Sequence, residues 1–259
     1  MINIKKLISD GVDLDSNGVK FDFATDSPDT ALKLYVNKKD IKFHSLGGVP
    51  NIFYAYYFSP SDKTVKKDVR LHKINSIRTA IKSYSDQSVV SNVDKMIEFS
   101  LNRFNILKPL SSFDTIIPLK SSSPLNDVIA SKVKHKNGAD IMSELIVKDV
   151  IKNISIDLPD SETNPKTLAF VDDIRDKFSK VPNDEFRSKM VPASFRRYIS
   201  KFLKFNNRYD KTEFEKLNGK NILVIDDTLG EGSTLKEIQR LLYQYSPSSV
   251  CYFVFIKDY

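Results

Sequence analysis

Residues 222–235 read Ile-Leu-Val-Ile-Asp-Asp-Thr-Leu-Gly-Glu-Gly-Ser-Thr-Leu, and no other stretch of the chain restricts its fold as strongly. Four consecutive apolar side chains suit a strand buried on both faces, which calls for a parallel sheet with helices on each side. The two acids and the glycine-bearing turn predict the end of that strand. Beyond them Leu235, Ile238, Leu241, Leu242 and Tyr245 recur at helical spacing, and Val250 to Ile256 supplies a further strand.

Ligands of open α/β sheets sit beyond the carboxyl ends of the strands, where Asp226 and Asp227 emerge. Paired carboxylates there can accept hydrogen bonds from vicinal sugar hydroxyls or help hold magnesium through oxygen ligands. Gly230, Glu231, Gly232, Ser233 and Thr234 open the helix, whose free N–H groups and dipole favour a phosphate. The plain alternative is that the acids merely end a strand and cap a helix.

This segment resembles the motif with which type I phosphoribosyltransferases bind 5-phosphoribosyl-1-pyrophosphate (PRPP). The family pattern spans roughly residues 113 to 257, with detailed matching only over the motif. The resemblance implies that Asp226 and Asp227 hold the ribose hydroxyls and a Mg2+ ion, while Thr228 and Gly230 to Thr234 surround the 5′-phosphate. Gly230 and Glu231 stand where the commonest form has paired threonines. It also implies roles for Lys120 and Ser121, which fall where the family has a pyrophosphate loop, although an ordinary capped loop fits them equally. Lys257 falls near a lysine that contacts the base in purine-salvage members, and a charged tail is its plain alternative. The core ends near this strand, as in competence-associated phosphoribosyltransferase-like proteins.

The rest of the chain reads as supporting organisation. Val12 to Phe23 alternates around Asn17-Gly18, a hairpin signal. Leu32, Leu34 and Val36, then Ile41 and Phe43, suggest a second antiparallel pair, and the aromatic run Phe53 to Phe58 another strand. Two helices follow at Ile74 to Tyr84 and Val90 to Phe104. Residues 1–110 are thus expected to form an N-terminal α+β unit and 111–259 the α/β core. In the core Thr115 to Leu119 is a strand, Ser123-Pro124 an N-cap and N1 pair, and a second strand lies within Ala139 to Val147.

The fold class expected is therefore α/β, a type I phosphoribosyltransferase-like parallel sheet with flanking helices, preceded by an α+β unit. A long insertion at about 157–215 suits a hood over the site. It carries the charge: 187–211 holds eight basic residues and one acid, a net of +7 equal to the +7 of the whole chain. Arg187, Lys189, Arg196 and Arg197 are candidates to meet a pyrophosphate leaving group. Otherwise they lie on the polar face of a solvated helix whose apolar stripe is Phe195, Ile199, Phe202 and Leu203.

Three functions remain open at this point. The first is Mg2+-dependent transfer of phosphoribosyl from PRPP to a nitrogenous base or amine, with release of pyrophosphate. The second is non-catalytic PRPP or nucleotide binding in a regulatory protein. The third is nucleic-acid binding through the 187–211 cluster. With 41% hydrophobic residues, no apolar run of bilayer length and no signal-peptide profile, the chain is expected to be cytoplasmic and to need no membrane; a homodimer would suit the family. The single cysteine, Cys251, excludes an intrachain disulfide, and His44, His72 and His135 are too scattered to suggest zinc.

Overall fold

A computed structural model describes residues 12–15, 18–21, 34–35, 42–58, 87–121, 123–187, 190–230 and 232–257. The strands are β1 (Val12–Asp15), β2 (Gly18–Phe21), β3 (Leu34–Tyr35), β4 (His44–Leu46), β5 (Val49–Phe58), β6 (Thr115–Pro118), β7 (Asp140–Ile141), β8 (Ile146–Lys148), β9 (Ser155–Ile156), β10 (Ile199–Ser200), β11 (Leu203–Phe205), β12 (Asn221–Leu229) and β13 (Ser249–Lys257). The α-helices are α1 (Gln87–Leu107), α2 (Leu125–Asn137), α3 (Pro165–Lys180), α4 (Lys211–Glu215) and α5 (Ser233–Leu242).

The central sheet has the order β3-β5-β13-β12-β6-β7, with β4 also paired to β5. Its four inner pairings from β5 to β7 are all parallel in direction, and only β3 and β4 run against β5. This is the mixed α/β fold expected, a mainly parallel sheet with flanking helices. Period-two alternation sorts the strand side chains between two cores. Leu223, Ile225, Cys251 and Phe253 meet α1 and α2, while Ile222, Val224, Val250 and Tyr252 meet α3 and α5. Strands covered on both faces have no solvated side to make polar, which accounts for their unbroken apolar sequences.

Several expectations shift. Strands β1 and β2 pair antiparallel, with Asp15 opposite Gly18, while Asn17 of the expected turn lies outside the described residues; β3 and β4 pair with β5 rather than with each other. The helix expected at Ile74 to Tyr84 lies outside the described residues. The aromatic run, assigned to an N-terminal unit, is the part of β5 that pairs with β13 in the central sheet. A boundary near residue 110 therefore crosses one continuous sheet, and remains a proposal about how the chain is organised.

Between β7 and α4 the chain builds two antiparallel ribbons, β8 with β11 and β9 with β10. The second strand sought within Ala139 to Val147 is thus divided: β7 joins the central sheet and β8 begins the insertion. Phe195 to Leu203 is not one helix. A 3-10 turn over Ala193–Tyr198 passes into β10, and the buried residues Ile199 and Leu203 belong to β10 and β11, with Phe202 in the link between them.

Candidate functional site

The connections from β6 and β12 set the position of the site. These neighbouring parallel strands diverge: β6 leads through α2 to β7 at one edge, and β12 leads through α5 to β13 on the other side. The two helices lie on opposite faces of the sheet. A crevice at the carboxyl ends of strands that part in this way is the usual ligand position in open α/β sheets.

A cleft of about 540 Å³ occurs there. Leu119, Lys120 and Ser121 contribute from the loop after β6, Asp226 and Thr228 from the end of β12, and Thr234 from the first turn of α5. The opposite wall comes from the insertion, with Ile146, Lys148, Glu185, Phe186, Phe202 and Leu203. These wall residues were missed in the sequence because β8 and β11 are brought together over more than fifty residues, and nothing local marks a ribbon of two short strands.

The acids are arranged differently from the expectation of a strand ending at Ile225. Strand β12 continues to Leu229, with Thr228 opposite Ile256 and Leu229 opposite Lys257 on β13. Alternation then sends the two carboxylates to opposite sides of the strand. Asp226 lines the cleft, and Asp227 is buried. Ser121 Oγ donates to Asp227 Oδ2 over 2.6 Å, and Thr228 Oγ1 donates to its Oδ1 over 2.9 Å. The Asp227 N–H donates to Asp226 Oδ1 over 2.9 Å. Asp227 thereby ties the β6 loop to β12 beneath the cleft.

That loop is fixed from below as well. Leu119 N–H donates to the Ile225 carbonyl over 3.0 Å, and Asn126 Nδ2 donates to the Leu119 carbonyl over 2.8 Å. Ser123 Oγ accepts from Leu125 N–H over 3.2 Å, but Pro124, expected at N1, is itself the N-cap, which places Ser123 one residue before the expected cap position.

At the head of α5, Gly232 is the N-cap with a φ of 83°, a left-handed conformation glycine adopts without steric cost. A Cβ there would lie 2.9 Å from Leu46 Cδ2, so β4 packs directly on the turn. Ser233 and Thr234 follow with the unpaired N–H groups of a helix start. Gly230 is exposed, and Glu231 lies outside the described residues.

The remaining candidates lie elsewhere. Arg196 Nε donates to the Val191 carbonyl over 3.0 Å. The Arg197 guanidinium stands 4.7 Å from the Tyr198 ring centroid and donates to its hydroxyl. Neither lines the cleft. Lys257, at the end of β13, stands 5.0 Å from the Tyr54 ring and is likewise outside the lining.

Among the described residues no group of three His, Cys, Asp or Glu side chains gathers to cage a metal. Magnesium needs less. It keeps several waters and is commonly held by one or two carboxylates plus substrate phosphates, a role open to Asp226. Among the described residues no helix is long and apolar enough to cross a membrane.

No protein-family model matches the chain, and no curated protein matches it. Among solved structures, a hypoxanthine phosphoribosyl transferase of Trypanosoma cruzi aligns with TM-score 0.29 and 10% identity, over 71% of this chain and 73% of the other. An asparagine mutant of an HPRT aligns with TM-score 0.30 and 10% identity over 71% and 74%. The corresponding alanine mutant gives 0.29 and 11% over 71% and 78%. Likeness this slight leaves the function to be read from the cleft.

Proposed function

We propose that the chain binds PRPP with Mg2+ in the cleft between β6 and β12 and transfers its phosphoribosyl group to a nitrogenous base or amine, releasing pyrophosphate. The observation that carries this reading is the convergence of Asp226, Thr228 and Thr234 with Lys120 and Ser121 around one cleft. The head of α5, with Ser233 and Thr234, suits the 5′-phosphate. Asp226 is the carboxylate for the ribose hydroxyls and the magnesium hydration shell. Lys120 and Ser121 suit the pyrophosphate, and Asp227 holds Ser121 in place. Magnesium would supply charge neutralisation of the leaving group, and the protein's part is positioning and electrostatics.

A second reading, binding without transfer, draws on the insertion. Arg196 and Arg197 are engaged at Val191 and Tyr198, so these two of the cations assigned to a closing hood do not line the cleft. The nucleic-acid reading has no comparable observation behind it. Calorimetry with PRPP and magnesium tests the binding step, and pyrophosphate release with a panel of bases separates transfer from binding alone. Saturable binding lost in Asp226→Asn supports the reading. A well-folded native chain that takes up no PRPP overturns it.

A further inference from the structure

Lys120, the cation at the mouth of the cleft, is engaged by a carboxylate of its own chain. Its Nζ lies 3.1 Å from Glu144 Oε1, and the other oxygen of the same carboxylate lies 3.3 Å from Arg208 Nη1. Glu144 belongs to the turn between β7 and β8 and has a φ of 53°, a left-handed conformation that side chains other than Asn, Asp and Gly seldom adopt. The turn is held there by the segment after β11. Asn206 Nδ2 donates to the Glu144 carbonyl over 3.0 Å, Asn206 N–H to the Leu145 carbonyl over 2.9 Å, and Tyr209 Oη to the Ser143 carbonyl over 2.8 Å. A glutamate is thus kept in an unfavourable backbone conformation, with its charge beside the cation that faces the cleft.

We infer that Glu144 is a built-in counter-ion which competes with the anionic ligand for Lys120 and so sets the ligand's affinity. The inference rests on the reading of the cleft as a PRPP and pyrophosphate site. An arriving phosphate must take Lys120 Nζ from Glu144, which already holds it. Arg208, on the far oxygen, gives the carboxylate a partner when Lys120 leaves. Glu144 is therefore a positioning residue acting through Lys120. Lys148 and Glu185, 3.7 Å apart on the opposite wall, repeat the pairing of a cleft cation with a carboxylate.

The test is calorimetric titration of the full chain with inorganic pyrophosphate and, separately, PRPP, both with magnesium. Glu144→Asn removes the charge with a residue that tolerates the left-handed conformation, and Glu144→Gln retains the side-chain length. Both variants are expected to bind each ligand about two- to fivefold more tightly than the native chain, the range set by an exposed ion pair. The gain should shrink as salt rises, which a purely structural change would not produce. Lys120→Met should bind more weakly, and Lys120→Met/Glu144→Asn should match Lys120→Met, since the glutamate then has no cation to withhold. Saturable native binding that is unchanged or weakened in both Glu144 variants overturns the inference and leaves the PRPP reading standing. Failure of every form to bind either ligand overturns both.

Discussion

Ser121 Oγ donates to Asp227 Oδ2 over 2.6 Å, joining the loop after β6 to the end of β12 across 106 residues of sequence. The carboxylate is buried, with Asp227 6% exposed, while Ser121 reaches it from the cleft lining. Ser121→Ala is expected to leave the buried carboxylate short of a donor and to cost about 1–3 kcal/mol in urea denaturation. A loss well under 1 kcal/mol would mean that water replaces the hydroxyl without penalty.

Separation of the two acids to opposite faces of β12 predicts different consequences for their removal. Asp226→Asn, which keeps an acceptor oxygen for the Asp227 N–H, should lower PRPP affinity at least about tenfold, as expected for losing a charged hydrogen-bonding group, with little change in Tm. Asp227→Ala should lower Tm first and affinity through it, because Ser121 and Thr228 lose their common acceptor. Equal loss of affinity with unchanged Tm in both variants would show that both carboxylates reach the ligand.

Gly232→Ala should cost about 2–4 kcal/mol, from the left-handed φ and from the approach of the new Cβ to Leu46. Leu46→Ala/Gly232→Ala removes the clash and keeps the backbone strain. The double variant should therefore be less destabilised than the two single changes added together, as read from their denaturation midpoints. Strict additivity would argue against the β4 contact on the turn.

The legible part of this fold was the part in which local pattern and final environment agree. Ile222 to Ile225 and Val250 to Ile256 read as doubly buried strands because they are covered on both faces. The spacing of Leu235, Ile238, Leu241 and Leu242 marks the face of α5 that enters the core. Asp226 and Asp227 misled because acids ordinarily end a strand. Here β13 continues alongside, and its pairing carries β12 through them to Leu229. Leu203 misled for a related reason: its spacing fits a helix, but pairing with β8 decides its geometry. Lys148 and Glu185 carried no signal at all, since their place at the cleft depends on ribbons closed over long distances, and neither did Glu144, which meets the cleft only through Lys120.

Asp149 ties the segment after β8 to β11 within the insertion and predicts how stability depends on pH. Its Oδ1 accepts from Val150 N–H over 2.8 Å and Asn153 Nδ2 over 2.9 Å, and lies 3.1 Å from Lys204 Nζ on β11. Burial alone would raise its pKa, but the hydrogen bonds from Asn153 and Val150 and the charge of Lys204 together outweigh it, so the carboxyl is held below its ordinary value. A depressed carboxyl contributes stability that is fully present above its unfolded pKa, about 3.9, and is lost as pH falls through the lower folded value. Native protein should therefore lose stability between about pH 4 and the acid limit by more than Asp149→Asn, which keeps the acceptor oxygen and lacks the charge. At neutral pH Asp149→Ala should cost about 2 kcal/mol, since the Val150 N–H and Asn153 amide lose a common acceptor. Urea midpoints of the three proteins at pH 7 and pH 3 provide the measurement. Parallel loss in the native chain and Asp149→Asn would assign the acid sensitivity to other carboxylates.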